Sequence, residues 1–202
     1  PLGTDGVVFK SAEGLTLQTQ QFSGGKLASV VEGADLFTRT ADGDDRPTLI
    51  EQKRSTTTIK KTYFKYTDVG AVQARLRVTE EEYNTDGTKR FATTIFGYYA
   101  SDDQGGKYGA GDLYYVVRPV GVVKYLAANG YSHGLDPSDP GAACDLDNRT
   151  TVPDSGLADY AETVFSEYDG DDRVLEMTTL GGGCCGASGE GQYTFAYGDN
   201  PN

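Results

Sequence analysis

A 202-residue chain with 30 acidic against 18 basic side chains has a formal net charge of −12 and lacks the basic footprint that nucleic acid or an anionic membrane requires. Glycine numbers 27 and tyrosine 14, tryptophan is absent, and there are one histidine and three cysteines. Glycine is thus about twice its usual share of roughly 7%, the texture of short strands joined by many turns. No apolar run is long enough for a spanning helix, and no signal-peptide pattern is visible, so a signal for export would be expected outside this stretch.

Taken in order, residues 6–10 and 15–22 read as short strands around Ala12-Glu13-Gly14, and Ser23-Gly24-Gly25 turns into a strand over 26–31. Residues 33–40 fit no single period. Residues 41–47 read as a turn, 48–54 as a strand and the threonine-rich 55–66 as a long β-branched strand. Residues 71–82 alternate as a half-buried strand does, with Val72, Ala74, Leu76 and Val78 on one face and Gln73, Arg75, Arg77 and Thr79 on the other. Asp86-Gly87 is the strongest hairpin dipeptide, and 89–99 returns as the partner strand. Residues 101–111 read as a loop and 112–117 as a strand.

The period changes at Arg118. Pro119 suits a first helical turn, and Val122, Val123, Leu126 and Ala127 form one stripe ending at Asn129-Gly130. A polar, Asp-Pro-rich stretch over 131–153 reads as a loop. Leu157, Tyr160, Ala161 and Val164 then predict a second short helix capped by Asp154 or Ser155. Residues 166–202 read as one hairpin with a buried aromatic face. Its parts are the Asp169–Asp172 turn, a strand over 173–179, a Gly-rich loop over 181–191, and Tyr193, Phe195 and Tyr197 in alternation. The chain is thus expected to be mainly β, an antiparallel sheet with a small helical insert. Its parts are a β-rich segment over 1–117, the insert over 118–165 and the hairpin over 166–202.

Tyr168-Asp169, Arg173-Val174-Leu175, Thr178-Thr179, the glycine tract and Tyr193-Thr194-Phe195-Ala196-Tyr197 together resemble a YD repeat of the RHS/YD-repeat family. Asp172-Arg173 stands where the usual repeat has Gly-Arg. The long insert and Gly/Cys-rich loop are similar to those of large YD-repeat surface proteins of planctomycete-type bacteria, and the resemblance covers roughly 62–202. It implies a spiral or solenoid-like β-sheet, a secreted or cell-surface location, and a shell, fibre or adhesion scaffold that sometimes encloses a toxin. Two echoes fit repetition. Glu82-Tyr83-Asn84-Thr85-Asp86-Gly87 parallels Glu167-Tyr168-Asp169-Gly170-Asp171-Asp172, and Asp-Gly-Asp-Asp-Arg occurs at both 42–46 and 169–173. The motif positions are therefore Tyr83, Asp86, Gly87, Tyr168, Asp169, Arg173, Tyr193 and Tyr197.

Candidate chemistry is sparse. Cys144, Cys184 and Cys185 lack zinc spacing. In an oxidising compartment Cys144 is expected to bridge to one of the adjacent pair. A strained vicinal bridge and reduced thiols are the alternatives. His133 reads as a loop residue without a base–orienter pattern. Asp169, Asp171 and Asp172 offer oxygens to calcium but do not match the twelve-residue calcium loop, and Asx turns are their ordinary use. Tyr98, Tyr99, Tyr114 and Tyr115 could stack on sugars, although cross-strand aromatic packing is the simpler use. The expectation is a non-enzymatic scaffold segment without cofactor. Its partners are neighbouring repeats or copies of itself joined through sheet edges. A carbohydrate- or protein-binding β-module is the alternative, and a hydrolase stands behind both.

Overall fold

Threonine-rich and alternating segments, separated by Gly/Asp turns, give twelve strands: β1 (Asp5–Lys10), β2 (Thr16–Ser23), β3 (Lys26–Glu32), β4 (Asp35–Ala41), β5 (Pro47–Arg54), β6 (Thr57–Val69), β7 (Val72–Tyr83), β8 (Lys89–Tyr98), β9 (Leu113–Val117), β10 (Thr163–Tyr168), β11 (Val174–Leu180) and β12 (Glu190–Thr194). Among the described residues two helices, α1 (Pro119–Ala128) and α2 (Ser155–Ala158), lie between β9 and β10. The computed structural model describes residues 5–10, 16–23, 25–69, 72–128, 155–180 and 190–197. The strands form one antiparallel sheet in which each neighbours its successor in sequence, with β1 and β12 at the ends of that order. The protein is therefore mainly β. Cys144, Cys184, Cys185 and His133, with the Gly/Cys-rich loop, lie outside the described residues.

The chain divides into two units, one of Pro1–Phe64 with Val78–Ala92 and one of Lys65–Arg77 with Thr93–Asn202. Strands β6, β7 and β8 contribute to both. In the first unit, residues 33–40, which fit no period, become β4. It pairs with β5 from Asp35↔Arg54 through Thr40↔Leu49, and Asp35 binds Arg54 Nε at 2.8 Å and Gln52 Nε2 at 2.7 Å. Cross-strand polar pairs therefore hold a segment that its apolar pattern does not define.

Strand β7 alternates as its sequence does, but burial at its C-terminal half falls on the polar side: Arg77, Thr79 and Glu81 are buried, while Val78 and Glu80 are half-exposed. The periodicity locates the strand but cannot say which face is covered.

The second unit holds an apolar core of Ile95, Tyr115, Val117, Val122, Tyr125, Leu126, Leu157 and Ala161. Each such side chain contributes roughly 1.5–3 kcal/mol on full burial. Helix α1 starts at Pro119 as expected, but it buries Gly121, Val122, Tyr125 and Leu126, and Val123 is 50% exposed. The buried stripe thus lies one position earlier than the aliphatic pattern indicates. Two contacts explain the shift. Gly121 packs so closely on the Tyr160 carbonyl that a Cβ would overlap it, and the Tyr125 ring meets Tyr160 edge-on at 5.5 Å.

The second predicted helix shrinks to the single turn α2. Tyr160 and Ala161 donate back three residues, to Leu157 and Ala158, and Glu162 N–H then donates to Val116 O at 3.1 Å. Capture by β9 turns Val164 into part of β10. Tertiary pairing overrides a helical period here.

The C-terminal aromatic row also departs from expectation. The strand ends at Thr194, and Tyr193, Phe195 and Tyr197 are 49%, 39% and 45% exposed. The described residues leave their face largely open.

Candidate functional site

The residues singled out by the sequence converge on one device, a five-residue Asx turn. At β4–β5, Asp42 N–H donates to Arg46 O at 3.0 Å and Asp45 N–H to Asp42 O at 3.1 Å. Asp42 Oδ1 accepts the amides of Asp44 and Arg46 at 3.0 Å each, and Arg46 Nε reaches Oδ2 at 2.7 Å. At β10–β11 the bonds repeat. Asp169 N–H donates to Arg173 O at 2.9 Å and Asp172 N–H to Asp169 O at 3.1 Å. Asp169 Oδ1 accepts from Asp171 and Arg173 amides, and Arg173 Nε reaches Oδ2 at 2.6 Å. The fourth residue is left-handed in both, Asp45 at φ 64° and Asp172 at φ 59°, which closes a type I turn with a bulge.

The β7–β8 turn has the same backbone. Asn84 N–H donates to Thr88 O at 2.9 Å, Gly87 N–H to Asn84 O at 3.0 Å, and Gly87 is at φ 82°. Here Asp86 supplies the carboxylate, to Thr88 N at 2.9 Å and Thr88 Oγ1 at 2.6 Å. A fourth turn, missed in the sequence, begins at Asp103 between β8 and β9. Its Oδ2 accepts from Gly105 and Lys107, and Gly106 is at φ 75°. Its signal was Asp-x-Gly-Gly, submerged in a polar loop.

The carboxylates of Asp169 and Asp171 both engage Arg173, the second at 3.2 Å from Nη2. A guanidinium thus stands where a calcium ion would have to sit. For Asp169, desolvation pulls the pKa upward as the largest influence, but the Arg173 amide, its guanidinium and the Asp171 amide together outweigh it and hold the group below the usual carboxylate range. Asp42 follows the same balance. Asp86 is lowered mainly by the Thr88 hydroxyl. Among the described residues no cluster of three or more His, Cys, Asp or Glu could hold a metal ion, and no helix is long and apolar enough to cross a membrane.

Tyr168 anchors its turn. Its amide donates to Lys107 O at 2.7 Å and its buried hydroxyl to Leu113 O at 2.6 Å. Burial raises the phenol pKa. The ladder skips Ser166 on β10 and Leu175 on β11, two irregularities just before the turn. Leu175 O then accepts Phe195 N–H at 2.8 Å. Arg173 lies over the Tyr197 ring at 4.7 Å, and Tyr197 donates to Val174 O at 2.9 Å. Thus Tyr168, Asp169, Arg173 and Tyr197 form one connected lock, while Tyr193 belongs to β12 beside it.

Tyr83 sits apart, in the first unit, with Lys61 and Lys89 over its ring at 5.9 and 4.9 Å. Beside it Glu81 is only 1% exposed. Tyr63 donates to Glu81 Oε2 at 3.1 Å, and Lys89 Nζ stands 2.7 Å from Oε1, an ion pair rather than an aligned hydrogen bond. Desolvation pushes the Glu81 pKa up, but Lys89, Tyr83 and Tyr63 outweigh it and the net shift is downward. The group is held ionised and walled off, a geometry for holding strands rather than for proton transfer. Three of the four tyrosines considered for sugar stacking, Tyr99, Tyr114 and Tyr115, instead meet other tyrosines. Tyr99 stacks on Tyr108 at 3.6 Å and meets Tyr114 at 4.7 Å, and Tyr115 is buried.

No protein-family model matches the chain, and no curated protein matches it.

Proposed function

We propose that this chain is a non-enzymatic scaffold segment of YD-repeat type, part of a secreted or cell-surface shell, fibre or adhesion array whose sheet continues as a spiral or solenoid. One observation carries the reading. The same five-residue turn closes β4–β5, β7–β8 and β10–β11, every third strand junction, whereas the Asp103 turn between β8 and β9 spans six residues. Asp42, Asn84 and Asp169 begin these turns, and the second interval is about twice the first, as if the α1-containing insert occupied one repeat. Local closure of this kind builds a sheet in sequence order without long crossovers and leaves both end strands ready for further repeats. Carboxylates that cap their own turns serve architecture, and neither catalysis nor a cofactor is needed to explain them.

A binding β-module is the second reading, favoured by the exposed row of Tyr193, Phe195 and Tyr197, because aromatic faces stack on sugars. Calorimetric titration of the full chain with a panel of oligosaccharides separates the two. The scaffold reading expects no saturable heat. A saturable heat abolished by Tyr193→Ala and Phe195→Ala would replace it with the binding reading.

A further inference from the structure

The large apolar side chains exposed among the described residues are not scattered. Of eight, five lie on or beside the end strands: Val7 and Val8 in β1, and Tyr193, Phe195 and Tyr197 in or just after β12. The backbone of β12 is also half used. Phe195 N–H donates to Leu175 O. In an antiparallel ladder the odd residues of this strand therefore turn their amides and carbonyls toward β11, and Gln192 and Thr194 turn theirs outward. Strand β12 pairs with β11, and no other described strand lies beyond it. Stretch 190–197 holds no lysine and no proline, the residues that commonly blunt an edge.

We propose that the outer edge of β12 takes up one further antiparallel strand, and that this strand is β1 of a second copy, joining copies head to tail. The occupant must be extended, to meet the outward amides and carbonyls of residues 192 and 194. It must also be apolar on the aromatic side. Strand β1 is the other end of the strand order and carries adjacent exposed valines on opposite faces, so either register lays one valine beside the aromatic row. Charge favours the same meeting. The molecule carries −12, yet β1 holds one Asp and one Lys, and 190–197 holds one Glu. Like-charged copies approach with least repulsion along these two strips. A two-fold β12–β12 pairing would instead leave Val7 and Val8 uncovered. Because the two surfaces differ, the contact is heterologous, and each pairing leaves one β1 and one β12 edge open to a further copy. The inference rests on the scaffold reading and names its partner.

Sedimentation velocity of the full chain, Thr194→Pro and the double variant Val7→Lys/Val8→Lys tests it. The wild type is expected to grow in mass with concentration, and more so in high salt, which screens the net charge. Each variant alone is expected to remain a single copy, with an unchanged circular dichroism spectrum. Their mixture is expected to give a species of two copies and no more, since each keeps the edge the other lost. Gln192→Pro, whose amide also points outward, replaces Thr194→Pro if that variant unfolds. A wild type that stays monomeric at all concentrations and salts overturns the proposal. So does a double-lysine variant that still dimerises, which would mean β12–β12 pairing. A monomer that takes up no oligosaccharide loses the edge contact alone, whereas saturable oligosaccharide binding removes the scaffold reading itself.

Discussion

Gly97 stands directly opposite Tyr115 in the β8–β9 ladder, and a Cβ at that position would overlap the Tyr115 ring. The glycine is thus a packing requirement, because the ring lies flat across the strand. Gly97→Ala is expected to cost about 1–3 kcal/mol through overpacking, read as a lower urea midpoint with unchanged slope. Tyr168→Phe removes the donor to Leu113 O while keeping the ring, and is expected to cost about 1 kcal/mol in the same assay. Glu81→Ala removes the carboxylate that meets Lys89 and two tyrosines. Loss of one partner from a buried pair costs roughly 3–5 kcal/mol, but Lys89 is partly solvated, so about 1–3 kcal/mol is expected. Tyr168 stands out in the sequence as a motif position, but the other two do not. Gly97 sits in an unremarkable strand, and Glu81 occurs in a run of three glutamates of which the middle one is the buried one.

At the scale of the element, the turns were the legible part. Two copies of Asp-Gly-Asp-Asp-Arg, and Asp86-Gly87, place the hairpins correctly because Asx capping and the left-handed fourth position are local chemistry. Faces were less legible. The period of β7 is right, but burial falls on Arg77, Thr79 and Glu81, because which side is covered depends on distant strands. The stripe of α1 moved because Gly121 and Tyr125, not Val123, meet Tyr160. Residues 157–164 carry a helical spacing that β9 overrides by pairing. The turn carboxylates also set an acid limit. Asp42, Asp86 and Asp169 all have folded pKa values below the unfolded value of about 3.9. Their contribution is complete above that unfolded value and is lost as pH falls through the folded one. The melting temperature is expected to be level from about pH 7 to 5 and to fall below about pH 4. In Asp42→Asn/Asp169→Asn the fall should be shallower, and scanning calorimetry across that range checks it. An equally steep fall in the double variant would assign acid sensitivity to other groups.

For the molecule as a whole, the two units differ in what holds them. Among the described residues, every buried large apolar side chain, from Val69 and Ile95 to Tyr168, belongs to the second unit. The residues of the first that are as deeply buried are Thr79 and Glu81. Its strands rest on ladder hydrogen bonds and on ion pairs such as Asp35–Arg54, Glu51–Lys53, Lys60–Glu80 and Lys89–Glu81. All of these but Lys89–Glu81 have at least one partner well open to solvent and are weakened by salt, and apolar burial is not. Local opening follows apolar contact density, so the first unit should open well below the free energy of global unfolding. Native-state hydrogen exchange is expected to find the slowest amides in β9, α1 and the second half of β8. Those of β2 to β5 should exchange through a separate, cheaper opening. Raising the salt should speed exchange in β4 and β5, where Asp35, Arg54, Glu51 and Lys53 lie, and leave β9 unchanged. Uniform protection across β2 to β9, insensitive to salt, would mean that the sheet unfolds as one cooperative unit in which the core of the second part stabilises the first.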